Sequence, residues 1–379
     1  MQKFLIKELS NTNIEKELSE IGFDKSYVKK AVDKFYYKNL KIFNLTVAQA
    51  NVLKQTALSV GADCATHKNV ITGQIEHSNC ILGASLSQLR KICAKLEFQP
   101  FGLKELSNNI LAKLITPQQE QTKIVGILNL TKNSFSDGGK YFEFDDAIKH
   151  LNQLIDDGAD IIDIGAESTK PYSTAVSAET QLEKILPILE YISNNKINIP
   201  VSIDTRSNIV AQKCLNFSNV KYINDVSGFD YDKDMAKTIA KSNAYVIVQH
   251  SKGTPETMQN DTTYENLIDE IFINLKEKTD FALSQGINAE RIIIDMGIGF
   301  GKSKEQNLEI INRWKEFKSL GYPIMLGISR KSFLGLENCS NEEKDIQTLA
   351  FNAELIKEKI DYIRVHNVKI HKTFKYILG

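Results

Sequence analysis

Residues 125–139, VGILNLTKNSFSDGG, decide the reading of this chain. Val125, Ile127 and Leu128 belong to an apolar run that predicts a buried strand. Asn129 breaks that run into a polar segment closed by Asp137, Gly138 and Gly139. A buried strand that runs into such a loop is how a barrel enzyme puts chemistry at the C-terminal end of a strand. The loop is long, and beyond Phe135 it carries little apolar cargo, so it makes sense only if something binds there.

Outward from this stretch the pattern becomes regular. Short apolar strands are expected at 124–130, 160–166, 200–204, 221–226, 244–250, 291–296, 323–329 and 362–366, alternating with amphipathic helical stretches such as 178–193, 264–285 and 342–360. Eight strand–helix units predict an α/β fold of the (β/α)8 TIM-barrel type over residues 122–379. A doubly wound open sheet is the alternative, but it concentrates polar residues at one switch point. Here they recur at most strand ends. Residues 1–115 read differently, as a small α/β or α+β domain. Helices are expected at 14–21, 26–37, 47–60 and 86–96, and strand-like pieces at 4–6, 40–43, 74–80 and 97–101. The polar, Pro-containing segment 116–121 is the natural boundary.

Composition narrows the function classes. The 379 residues are 42% hydrophobic and 25% charged, with Lys+Arg and Asp+Glu both at 47. Zero formal net charge argues against a general nucleic-acid or membrane-surface role, because excess positive charge recruits such partners. No apolar run approaches the roughly 20 residues needed to span a bilayer. The N-terminal MQKFLIKELSNTN turns charged too soon for a signal peptide, and the expected compartment is the cytoplasm. Five cysteines form no even framework, so free thiols are expected.

The strand ends carry the chemistry. They supply Asn129, then the 167–171 run, Asp204, Asn224, His250, Asp295, Ser329 with Lys331, and Arg364 with His366. Alone, each Asp or Asn after a strand reads as a helix cap; eight polar strand ends out of eight do not. Asp204, Asp295 and the amide of Asn224 suit a flat heterocycle rich in N–H donors, because carboxylates accept such donors in pairs. Lys331, Arg364 and His366 suit an anionic group such as a diphosphate. Asn129 can offer an oxygen to Mg²⁺, which keeps waters and bridges substrate phosphates.

From about residue 122 to the C-terminus the chain resembles the dihydropteroate synthases of the pterin-binding family. ILNLTKNSFSDGG and DIGAESTKP are similar to the family's first two signatures, and SIDT, YINDVSG, IIIDMGIGFGK, GISRKSFLG and YIRVHNV follow in family order. The resemblance implies a Mg²⁺-dependent transferase of folate biosynthesis, a sulfonamide target, and a homodimer. Its substrates would be 6-hydroxymethyl-7,8-dihydropterin diphosphate and 4-aminobenzoate, and its products 7,8-dihydropteroate and diphosphate. It further implies that Asn129 meets Mg²⁺ and the diphosphate. Asp204, Asn224, Asp295 and Lys331 would hold the pterin. Thr169, Arg364 and His366 would contact the diphosphate end, and Phe135, Lys170, Pro171 and Ser329 would line the aminobenzoate pocket. In this scheme Asp204, Asp295, Lys331, Arg364 and His366 act catalytically through electrostatics and binding. A methyltetrahydrofolate:corrinoid methyltransferase has no use for a diphosphate clamp, and a barrel retained only as a partner would have no reason to keep Asp204, Lys331 or Arg364.

The chain departs from the family pattern at Lys132 and Asn133 (usually Pro and Asp), Lys170 (usually Arg), Tyr172 (frequently Gly) and Met296 (usually Pro). Three motifs are set aside. The Gly301-Lys302-Ser303 run misses P-loop spacing by one residue. Cys64, His67, His77 and Cys80 have paired spacing compatible with zinc but read more simply as core cysteines and surface histidines. His250 reads as a satisfied rim histidine. No motif ties residues 1–115 to a second reaction, so a structural or assembly role is expected for them.

Overall fold

The structure is a computed structural model that describes residues 5–9, 13–114, 121–131, 140–168, 173–254, 256–258, 261–335 and 339–378, with backbone alone for 140–143. It divides into two compact units, Met1–Gln118 and Gln119–Gly379.

The first unit runs α1 (Ile14–Glu20), α2 (Val28–Val32), β1 (Tyr37–Thr46), α3 (Val47–Leu58), β2 (Asp63–Ala65), β3 (His77–Ser85), α4 (Leu86–Leu96) and α5 (Leu103–Ala112). Its three strands form an antiparallel sheet in the order β1-β3-β2. Thr46 and Ser85 turn a strand directly into a helix. Each closes a capping box with the glutamine three residues on, Gln49 and Gln88, which satisfies two otherwise orphaned N–H groups. Leu53, Leu82, Leu89, Ile92 and Leu96 fill the core between sheet and helices. The amphipathic helix expected at 86–96 is α4, packed through Leu89, Ile92, Cys93 and Leu96.

Several expectations for this unit are corrected. The 97–101 strand is a turn that ends α4. Pro100 cannot donate to a ladder, Phe101 takes φ +64°, and Phe98 and Phe101 are exposed. Leu5 and Ile6 are exposed and in no element, while residue 4 lies outside the described residues. The 26–37 helix shrinks to α2, because Tyr37 already pairs with Ser85. β2 and α5 were not expected.

The second unit is a closed barrel of eight parallel strands, as expected from the sequence. It runs β4 (Lys123–Asn129), α6 (Lys140–Asp156), β5 (Ile161–Gly165), α7 (Ala178–Asn194), β6 (Val201–Asp204), α8 (Asn208–Cys214), β7 (Val220–Asp225), α9 (Asp234–Ala240), β8 (Tyr245–Gln249), α10 (Leu267–Ser284), β9 (Ile292–Asp295), α11 (Lys304–Arg313), β10 (Ile324–Leu326), α12 (Asn341–Lys357), β11 (Tyr362–Val365) and α13 (Val368–Leu378). The strands read as continuous apolar runs because both faces are buried. Outward residues such as Ile124, Ile162, Ile203, Val246 and Ile294 pack under the helices. Inward, Val125, Ile161, Tyr222, Ile247, Ile293, Met325 and Tyr362 form a separate apolar layer. No helix among the described residues is long and apolar enough to cross a membrane.

Candidate active site

Two residues beyond the apolar inner layer, the inward positions change character. Asp163 sits across from Ser202 and Ile127, Asp204 from Gly165 and Asn224, and Asp295 from Gln249. Arg364 follows Tyr362 on β11 at the same parity. Strand alternation therefore builds one polar layer at the C-terminal mouth of the barrel.

Arg364 is its centre. Nε donates to Asp163 Oδ2 at 2.5 Å, and an Nη group donates to Asp204 Oδ2 at 2.7 Å. Asn224 Nδ2 also donates to Asp163 Oδ2, at 3.3 Å. Among the described residues Asp163 Oδ1, Asn224 Oδ1 and Ser202 Oγ are buried polar atoms without a partner. Two unpaired buried acceptors beside a carboxylate pair are what a donor-rich ligand would satisfy.

Asp163 was missed in the sequence, although a signal was there. It is a carboxylate at the third position of the apolar strand IIDIG, and a charge inside a parallel barrel strand has to face a partner.

Across the mouth, Asp295 Oδ1 accepts from Gly297 N at 2.7 Å. Lys331 is half-buried, donates to Ile298 O, and lies 4.8 Å from the Phe300 ring centroid. Only glycine fits at 297: φ is +67°, and a Cβ there would stand 1.8 Å from His250 O. The turn that follows β9 therefore folds back tightly on the end of β8.

Burial sets the electrostatics. It pushes the Asp204 carboxyl up to about 7, against the pull of Arg364 and with the help of Asp163. It raises Asp295 too, against Lys331. It draws the Lys331 ammonium down to about 8, against Asp295. His366 is drawn down to about 3 by burial and then by Arg330 and Arg364. Its Nδ1 lies 2.9 Å from Ser329 Oγ, and its own N–H donates to the same hydroxyl at 3.2 Å. Burial thus favours the neutral form of His366, which can meet an anion through hydrogen bonds. The bond to Ser329 also ties that residue to the His366 side of the mouth.

Asn129 ends β4 opposite Gly165 and is half-buried. Phe135, Thr169, Lys170 and Pro171, with the divergent Lys132, Asn133 and Tyr172, lie outside the described residues. Met296 is fully buried in the core around the barrel.

The motifs set aside resolve simply. Lys302 is buried and donates to Gly297 O and Phe300 O, both at 2.9 Å, with its Nζ 3.1 Å from His250 Nδ1. It braces a loop, and burial holds His250 well below its ordinary pKa. Cys64 and Cys80 are buried while His67 and His77 are exposed. All five cysteines are free. Among the described residues no group of three or more His, Cys, Asp or Glu could hold a metal ion. On the first unit an open groove of about 610 Å³ is lined by residues that include Asn51, Gln55, Lys95 and Phe98.

Comparison with known proteins gives this mouth its context. The model of the family described as "Pterin binding enzyme" matches residues 125–366. A dihydropteroate synthase of Clostridium beijerinckii is 45% identical over 251 residues, 66% of this chain and 90% of that protein. A Helicobacter pylori protein, named a bifunctional dihydropteroate synthase/dihydropteroate reductase, is 31% identical over 382 residues, 98% of each chain. A crystal structure of dihydropteroate synthase from Clostridium difficile, determined with pteroic acid present, superposes with a TM-score of 0.64 at 36% identity. It covers 70% of this chain and 98% of that one.

Proposed function

The chain belongs to the pterin-binding enzyme family, and we propose how its barrel mouth performs that family's dihydropteroate-forming step. It is a transferase of folate biosynthesis that condenses 6-hydroxymethyl-7,8-dihydropterin diphosphate with 4-aminobenzoate, releasing diphosphate. In our reading the pterin lies against Asp204, Asn224 and Asp295, with Asp163 beneath them. Their acceptor atoms match the ring's N–H donors.

The observation that carries this reading is the fork of Arg364 between Asp163 and Asp204. Of the five N–H donors of a guanidinium, two are committed. The rest are left for the diphosphate, with Asn129 and neutral His366 beside it.

Three carboxylates, Asp163, Asp204 and Asp295, thus face two cations, Arg364 and Lys331. As the C–O bond breaks, its electron pair leaves with the diphosphate and the methylene becomes electron-poor. With all three ionised, the excess negative charge favours that change. The arylamine nitrogen then attacks, and its proton passes to solvent or to the departing anion, so no strong general base is required.

The donor chemistry fits Mg²⁺ as an ion carried by the substrate. Asn129 would contribute one amide oxygen, and among the described residues no group of three or more His, Cys, Asp or Glu is placed to hold a metal ion, which suits an ion bound mainly through phosphates and water. Bound there, Mg²⁺ would neutralise the leaving diphosphate. Phe135, Thr169, Lys170, Pro171 and Ser329 keep their proposed places around diphosphate and aminobenzoate. We also propose that the chain works as a homodimer; sedimentation at the mass of one chain would remove that element.

The test of the main reading is diphosphate release. The full chain should release diphosphate from the pterin diphosphate only with 4-aminobenzoate and Mg²⁺ present, and no product under any of these conditions would defeat it.

A second activity is favoured by one observation. The single-function relative from Clostridium beijerinckii matches 66% of the chain, whereas the relative matched over 98% is named for two activities. We propose that the first unit supports reduction of dihydropteroate, which places a chemical role beside the assembly role expected from sequence. The full chain, given 7,8-dihydropteroate with a reduced nicotinamide or a reduced flavin, should form tetrahydropteroate. Absence of turnover with both reductants would leave the assembly role alone.

A further inference from the structure

Two residues past Asp204, the same strand end carries an ion pair that the reaction does not use. Arg206 is 6% exposed and Glu167 is 9% exposed. Arg206 donates from Nη2 to Glu167 Oε1 at 2.7 Å and from Nε to Oε2 at 3.2 Å. The guanidinium also lies 4.4 Å from the Tyr231 ring centroid.

Around this fork the chain between β5 and α7 is tied at both ends. Glu167 Oε1 accepts from Val176 N at 3.3 Å. Gln181 Nε2 donates to Val176 O at 3.0 Å, and Gln181 Oε1 accepts from Thr205 Oγ1 at 2.9 Å. Ser173 Oγ donates to Ser168 O at 2.5 Å. Residues 167 and 176 are thereby pinned to residues 205 and 206.

Net stability is a weak reason for this arrangement. A buried ion pair replaced by apolar residues of similar volume is commonly no less stable, because desolvation offsets the Coulombic gain. What a bidentate fork adds is fixed geometry.

We propose that Arg206 is a positioning residue for the aminobenzoate half of the site. Through Glu167 it fixes where the 168–176 segment leaves β5 and returns. β6 thus serves both substrates from one end: Asp204 faces the pterin, and Arg206 sets where the chain leaves β5 at Glu167 and rejoins at Val176. The inference rests on the reading that this segment meets aminobenzoate.

The test is bisubstrate kinetics on Arg206→Met, Arg206→Lys and the double variant Glu167→Met/Arg206→Met, with melting curves and calorimetric binding of pterin diphosphate. Arg206→Met should raise KM for aminobenzoate by on the order of tenfold or more, since small misplacements of a positioned group are amplified in rate. Pterin diphosphate affinity should stay within about threefold of wild type, because its contacts are left in place. Arg206→Lys should recover part of the loss. The double variant leaves no buried charge unpaired, so it should melt close to wild type yet keep the raised aminobenzoate KM.

Parallel losses for both substrates, or a wild-type aminobenzoate KM in the double variant, would overturn the inference and leave Arg206 a structural residue. Absence of product from the wild-type chain would instead overturn the reading of the active site, and this inference with it.

Discussion

Replacing Arg364 with methionine is expected to lower kcat/KM by about a hundredfold to a thousandfold, the usual cost of removing one fixed charge-stabilising donor. It should also destabilise the barrel by about 3–5 kcal/mol, because it strands buried charge. Both effects come from one geometry. The guanidinium is the direct partner of Asp163 and Asp204, whose side chains are 1% and 8% exposed, and its remaining N–H groups are the strongest donors near the proposed diphosphate. Without it, the two carboxylates can be relieved only by protonation.

The pH dependence has a definite sign. The folded-state pKa of Asp204 already lies above its ordinary value of 3.8, at about 7. The folded protein therefore binds the extra proton, and stability falls as pH rises between those values. Losing Arg364 removes the main opposing pull, so the fall should extend to higher pH. The difference in melting temperature between wild type and variant should be wider at pH 8 than at pH 6. Arg364→Lys, with charge but no fork, should recover stability better than turnover. Wild-type turnover in the methionine variant would exclude Arg364 from the site. Equal melting losses at both pH values would mean that unpaired carboxylates are not what its removal exposes.

The barrel was readable because its strands follow a simple physical rule. A strand covered by helices outside and side chains inside is apolar along its length, and a polar residue can then stand only at the mouth. IIID followed by glycines, and VSID followed by Thr205 and Arg206, declare themselves in this way. Asp163 did not, since it lies inside its strand, one inward position before the strand end. Its charge is tolerated only because Arg364 reaches it from β11, 201 residues later, and no local pattern carries that information.

The effect of burial on His366 was hidden for the same reason. Its charge state depends on burial and on Arg330 and Arg364 beside it, not on its place in YIRVHNV. The first unit was less legible because its elements are short. Residues 97–101 alternate like a strand, yet Pro100 and the positive φ of Phe101 leave them no ladder to join. β2 is only three residues long and exists because β3 is there to pair with.

Lys331→Ala should weaken pterin diphosphate binding by about a hundredfold or more, as removing the cation from a charge pair that binding desolvates commonly does. Lys331 is the cation nearest Asp295 in effect: each carries the other's leading electrostatic contribution after burial. Removing it both deletes an attraction for the anionic substrate and lets Asp295 take up a proton, which spoils its acceptor role toward the ring.

Asp204 and Lys331 together predict a pH profile. Asp204 must be ionised to accept ring N–H groups, so kcat/KM should rise as pH climbs through about 7. Lys331 must be protonated to hold the anion, so kcat/KM should fall as pH passes about 8. The free enzyme should therefore show a narrow bell between those limits. Lys331→Arg isolates the alkaline limb, because a guanidinium does not titrate in this range. Its activity should be lower throughout, since a Cβ on Gly299 would already stand 3.2 Å from Lys331 Cδ and the site is packed around the slender stem. Its profile, however, should stay flat above pH 8 where the wild type declines. A decline that persists unchanged in Lys331→Arg would assign the alkaline limb to another group, and wild-type affinity in Lys331→Ala would take Lys331 out of the binding site.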